Sequence, residues 1–213
     1  MVREACADAL ALLLPVSCAG CDEPDVALCE RCVLALRPDP RTQVIEAPGG
    51  VIPVCSGLAF DGVAARVLRA IKEDGRTGLA AALAPALKAA LIRAGAADAV
   101  LVPMPTSQRA YRRRGYRVPE LLIRRTGRRP RRLLRYARRT SDQRGLDHDA
   151  RARNVAHSLV ANGAAGLRVV LVDDVVTTGA SLAEAVRALH AAGAEVVAAV
   201  TAAATPRRYG TGR

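Results

Sequence analysis

Residues 169–181 read Val-Val-Leu-Val-Asp-Asp-Val-Val-Thr-Thr-Gly-Ala-Ser, and this stretch constrains the fold more than any other. The continuous β-branched and Leu run over residues 168–172 predicts a strand buried on both faces, as in a parallel sheet. That strand ends in Asp173 and Asp174. A loop of small hydroxyl residues and glycine follows, and a helix is predicted over residues 181–192, closed by Gly193. In open α/β sheets, ligands sit beyond the carboxyl ends of the strands. The Asp173 and Asp174 carboxylates can accept hydrogen bonds from the vicinal hydroxyls of a ribose. The backbone N–H groups of Thr177, Thr178, Gly179, Ala180 and Ser181 stand at a helix N-terminus, where the dipole favours a phosphate. Gly179 lets the backbone approach a ligand closely, and the hydroxyls of Thr177, Thr178 and Ser181 add donors. The ligand implied is a sugar phosphate. A P-loop nucleotide site is excluded, because no G-x-x-x-x-G-K occurs, and a GxGxxG dinucleotide fingerprint is missing as well.

The rest of the chain alternates strand-like and helix-like runs. Strands are expected over residues 51–60, 99–102 and 196–200, and helical period appears over 63–71, 79–93 and, in an Arg-rich run, 108–126. This alternation predicts an α/β fold with a mainly parallel sheet flanked by helices. A short amphipathic helix is expected over residues 3–14. Pro and Gly punctuation around residues 38–50 predicts a linker, which divides the chain into a module over 1–37, a main domain over 51–205 and a tail over 206–213.

Cys18, Cys21, Cys29 and Cys32 form C-x2-C-x7-C-x2-C. Two such knuckles can place four thiolates around one tetrahedral zinc, and four Cys leave no open position for catalysis, so the zinc is expected to be structural. The competing reading is a pair of disulfides in an exported protein. Against it, Glu4 and Asp8 occupy the region where a signal peptide is basic, and the apolar run over residues 9–16 is too short to cross a bilayer. A cytoplasmic protein without membrane insertion is therefore expected. Cys6 and Cys55 are read as core thiols.

The 213-residue chain carries a net charge of +12, unevenly spread. Residues 109–144 hold 15 Arg against only Glu120 and Asp142, a net of +13, so the remainder is nearly neutral. Such a segment asks for a local anionic partner. Tyr111, Tyr116 and Tyr136 lie within it, and interleaved Arg and Tyr can bind single-stranded DNA through phosphate pairing and base stacking. A solvated basic face that also neutralises a bound pyrophosphate explains the run equally well. The three His, His148, His157 and His190, show no paired arrangement, and His190 is read as structural.

Residues 169–181 resemble the 5-phosphoribosyl-1-pyrophosphate (PRPP) signature of type I phosphoribosyltransferases, and nearly the whole chain resembles the ComF family, amidophosphoribosyltransferase-like proteins linked to natural competence and DNA uptake. The resemblance is carried by the four-Cys knuckles, by Lys72 with Gly75-Arg76, by Val102-Pro103-Met104-Pro105, by Arg114-Gly115-Tyr116, by Thr140, Gln143 and Leu146, and by Arg151 with Asn154-Val155. It implies that Asp173 and Asp174 bind the ribose hydroxyls and that residues 177–181 hold the 5′-phosphate. It further implies that the turn after Pro105 faces the pyrophosphate, with Arg114 and Gly115 on that side, that Mg²⁺ accompanies PRPP, and that residues 139–151 form a hood excluding water. The chain departs from the family after Tyr116: Arg117-Val118-Pro119 stands where Asn-Gln is usual. The implied reaction transfers phosphoribosyl to a base or amine; the alternative is a PRPP-responsive or single-stranded-DNA-binding factor without turnover.

Overall fold

The structure, a computed structural model, describes residues 16–137 and 157–206. The expected helix over residues 3–14, Cys6, His148, the hood segment 139–151 with Thr140, Gln143, Leu146 and Arg151, the Asn154-Val155 pair, and the tail after Pro206 lie outside the described residues.

Four strands, β2 (Gly50–Ala59), β3 (Val100–Pro103), β6 (Arg168–Val176) and β7 (Glu195–Ala204), pair in parallel, and β1 (Arg41–Ala47) adds an antiparallel edge, giving the order β1-β2-β7-β6-β3. The sheet is flanked by helices on both sides, so the α/β expectation holds. Alternation along β6 splits its side chains between two apolar layers. Val170 and Val172 pack with α2 (Gly62–Glu73), α3 (Ala80–Arg93) and α5 (Val118–Arg125); Val169 and Leu171 pack with α6 (Ala180–Ala191). With almost no aromatics, close approach takes the place of bulk: a Cβ on Gly57 would run into the backbone carbonyl of Ala86, so α3 lies directly against β2.

Residues 38–50, expected as a linker, instead hold β1. Pro48, Gly49 and Gly50 form the turn of a hairpin, with Gly49 at φ 99° and Gly50 at φ 131°, and Ala47 pairs with Gly50. The punctuation is real, but it marks a reversal of the chain rather than a joint between domains. The Arg-rich run over 108–126 is likewise not one helix. Gly115, at φ 78°, caps α4 (Gln108–Arg114), its N–H reaching the Tyr111 carbonyl at 2.8 Å, and α5 restarts with Pro119 in its first turn.

The cysteine-bearing residues include a short helix, α1 (Glu30–Ala35), and pack on α2. A Cβ on Gly20 would meet both Cys32 and Val63 of α2. Arg66 of α2 pairs with Asp22, and Arg76 donates to the Ala27 carbonyl at 2.9 Å. Cys55 is buried, as expected of a core thiol. A two-stranded ladder absent from the sequence reading, β4 (Leu134–Tyr136) with β5 (Leu159–Ala161), stands beside the main sheet. Buried Glu184 of α6 anchors it: the carboxylate accepts from the Leu159 N–H at 3.0 Å, and Arg187, paired with Glu184 at 2.8 Å, donates to the Leu159 carbonyl at 2.9 Å.

Candidate functional site

The sequence reading ends the β6 strand at its two acids. In the structure β6 continues to Val176, because the long neighbour β7 keeps pairing with it as far as Ala204. Inside a strand, consecutive side chains leave on opposite faces. Asp174 goes to the α2 side, where its Oδ2 lies 2.9 Å from Lys72 Nζ. Asp173 goes to the other side, in register with Thr201, itself in register with Ser56; the two hydroxyls are 2.7 Å apart. Asp173 Oδ1 also accepts the Asp174 N–H at 2.8 Å. Burial and the neighbouring Asp174 charge push the Asp173 carboxyl up to about 8, against the opposing pull of that N–H bond and of Lys72.

Both carboxylates line one cavity of about 230 Å³ at the carboxyl edge of the sheet. Lys72, Arg114, Tyr136 and Ser181 share its wall with the turn Met104-Pro105-Thr106-Ser107. Ser107 closes that turn by capping α4, its Oγ accepting the Ala110 N–H at 3.2 Å, and the last turn of α4 then delivers Arg114. Arg114 Nε is buried and has no hydrogen-bond partner among the described residues. A buried, unmet guanidinium donor beside a cavity fits an anion. Gly115 does not line the cavity; its role in the structure is the left-handed cap that ends α4.

Thr177, Thr178, Ala180 and Ser181 are exposed at the start of α6. Gly179 at the N-cap offers no capping side chain, and the first-turn N–H of Ala180 reaches the Thr178 Oγ1 at 3.4 Å. Gly179 is buried and adopts φ 85°, and a Cβ there would stand 2.5 Å from Ile45 Cγ2. In the structure, the missing side chain of Gly179 makes room for the edge strand β1.

Two features escaped the sequence reading as parts of a site. Tyr136 lines the cavity from β4 and donates to the Pro105 carbonyl at 3.2 Å; three-residue strands give no periodic signal that could have placed it. Lys72 stood out only through a family resemblance. Tyr116 fixes its neighbourhood by donating to the Ile71 carbonyl, which ties the approach to α5 to the end of α2. A second, larger cleft of about 960 Å³ shares Met104, Pro105, Thr106 and Tyr136 with the first.

Residues 113–211 match the phosphoribosyl transferase domain. The match opens one residue before Arg114 and takes in Asp173, Asp174 and the loop to Ser181, while Lys72 and the turn after Pro105 precede it. No curated protein matches the chain. The phosphoribosyl transferase domain match thus covers the acidic strand tip and the helix N-terminus, and the N-terminal part of the chain supplies the remaining cavity wall.

Cys18, Cys21, Cys29 and Cys32 form the one other chemically distinctive cluster among the described residues, with all four Sγ atoms within 4.8 Å of one another. Zinc at about 2.3 Å from four sulfurs requires edges of roughly 3.8 Å, so the set fits a tetrahedral ion. The Gly20 and Cys29 N–H groups each point at Cys18 Sγ from 3.4 Å. Burial opposes ionisation of Cys18, but the backbone donors of Cys29, Gly20 and Cys21 outweigh it and bring this thiol down to about 6. Burial and the neighbouring thiols raise Cys32. All four are free thiols, which fits a metal cluster rather than two disulfides. No helix among the described residues is long and apolar enough to cross a membrane.

Proposed function

We propose that this chain binds PRPP at the carboxyl edge of its sheet and transfers the phosphoribosyl group to a base or amine, as a cytoplasmic protein of the ComF type. One observation carries the reading: two carboxylates, a lysine, an arginine with an unmet buried donor, and a serine at a helix N-terminus converge on one cavity.

Asp173 and Asp174 accept the ribose hydroxyls. The N–H groups and hydroxyls of residues 177–181 hold the 5′-phosphate. Arg114, with the Thr106-Ser107 turn, meets the pyrophosphate. Mg²⁺, when bound with PRPP, neutralises pyrophosphate charge next to the two carboxylates. In the reaction the acceptor nitrogen forms a bond to the anomeric carbon while the bond from that carbon to the pyrophosphate oxygen breaks, the electron pair leaving with pyrophosphate. Arg114 stabilises the charge that gathers on the departing group, and positioning supplies the rest. The cysteine cluster holds structural zinc and braces α2, whose far end presents Lys72 to Asp174.

A second reading has its own support. Tyr111 and Tyr136 are exposed among the arginines of α4, α5 and β4, and Arg117 lies 4.0 Å over the Tyr111 ring, the surface expected of a PRPP-responsive factor that binds single-stranded DNA. Pyrophosphate release from PRPP and Mg²⁺ in the presence of a panel of bases and amines separates the two. Turnover supports the transferase. PRPP binding without turnover, with salt-sensitive DNA binding lost on neutralising Arg112, Arg113 and Arg114, supports the factor.

A further inference from the structure

We propose that the 960 Å³ cleft beside the PRPP cavity receives the acceptor, and that this acceptor is a planar ring bearing an acidic group; the proposal rests on the phosphoribosyl reading above. The two spaces are divided only by a shared wall at Pro105, Thr106 and Tyr136, so a molecule in the cleft lies next to the sugar. Met104, Leu133 and Leu134 line the cleft with buried apolar side chains, and Tyr136 offers a half-exposed ring, a lining that suits a flat, weakly polar body.

The rim has a different character. Arg117, Arg132 and Arg135 line it together with a single acid, Glu120. Glu120 is already satisfied: Arg132 reaches its two oxygens at 2.6 Å each. Arg117 is held by its stack on Tyr111 and by an ion pair with Glu120, its Nε 3.7 Å from Oε1, and its guanidinium makes no hydrogen bond among the described residues. Arg135 is also without one. The rim thus carries three guanidinium groups against one carboxylate above an apolar floor, an excess of positive N–H donors that selects a carboxylate attached to a ring.

Equilibrium dialysis of the full-length protein tests this with matched probes: pyridine-3-carboxylate against pyridine-3-carboxamide, and uracil-6-carboxylate against uracil, each with and without PRPP and Mg²⁺. The acid of each pair is expected to bind at least about tenfold more tightly, and Arg117→Gln to abolish that preference while leaving the neutral rings unaffected. Equal or tighter binding of the neutral probes, no binding of either acid at millimolar concentration, or an acid preference that survives Arg117→Gln overturns the proposal. So does displacement of a bound acid by a short oligothymidylate, which would assign the cleft to nucleic acid. Failure of PRPP itself to bind, with acid preference intact in its absence, counts against the phosphoribosyl reading and not against the cleft's charge selection.

Discussion

Lys72 Nζ lies 2.9 Å from Asp174 Oδ2, and this ion pair joins the end of α2 to the acidic tip of β6. Both side chains are largely buried, so neither charge has much water to fall back on. Lys72→Ala leaves Asp174 unpaired at the cavity. We expect a loss of about 1–3 kcal/mol in unfolding free energy, measured by urea denaturation. Lys72→Arg should recover part of it.

Asp173 gives a pH dependence whose sign is set by burial. Its carboxyl titrates near 8 in the folded protein, against an ordinary value of 3.8. Between those values the folded state holds a proton that the unfolded chain has lost, so stability declines as pH rises through this window. Asp173→Asn removes that decline. Relative to wild type, the variant should gain at least about 1.4 kcal/mol between about pH 5 and about pH 8, read from thermal or chemical unfolding at both values. A constant difference between the two proteins would show that Asp173 is ionised throughout.

Gly179 and Ile45 form a steric pair across the start of α6. Gly179→Ala meets both a positive φ and the Ile45 side chain, and should cost roughly 1–3 kcal/mol. Ile45→Ala removes the collision but not the backbone strain. A double-mutant cycle should therefore give a coupling of about 1 kcal/mol or more, with the double variant less damaged than the sum of the singles. A coupling near zero would mean that the loop has room to shift away from β1.

The cysteine cluster should bind one zinc per chain, measured by elemental analysis of the purified protein. Cys18→Ser or Cys32→Ser should abolish the zinc and lower the melting temperature of the whole chain. The effect should reach the main core, because Val63, Arg66 and Arg76 tie the cluster to α2 and to the loop behind it.

The sequence made the parallel sheet legible because β6 and β7 are apolar on both faces, a pattern few other environments tolerate. The Cys spacing foretold the cluster for a similar reason: four thiols at knuckle intervals have few uses. Edge and auxiliary elements were opaque. In β1 only Ile45 is fully buried, so its polar residues and the following Pro-Gly-Gly read as a joint. β4 and β5 are three residues each and owe their order to Glu184 and Arg187, contacts that no local pattern encodes. At the site, residue identity pointed to Asp173, Asp174 and Ser181. Their geometry, with consecutive carboxylates on opposite faces and Gly179 serving Ile45, depended on how far β7 runs and on where β1 lies.

Titration of the full-length protein with PRPP and Mg²⁺ by isothermal calorimetry is the most direct measurement of all. Wild type should bind with one site per chain, and Asp173→Asn combined with Asp174→Asn should remove binding while circular dichroism shows the fold retained. Unchanged PRPP affinity in that folded double variant would contradict the assignment of the acidic β6 tip as the sugar site.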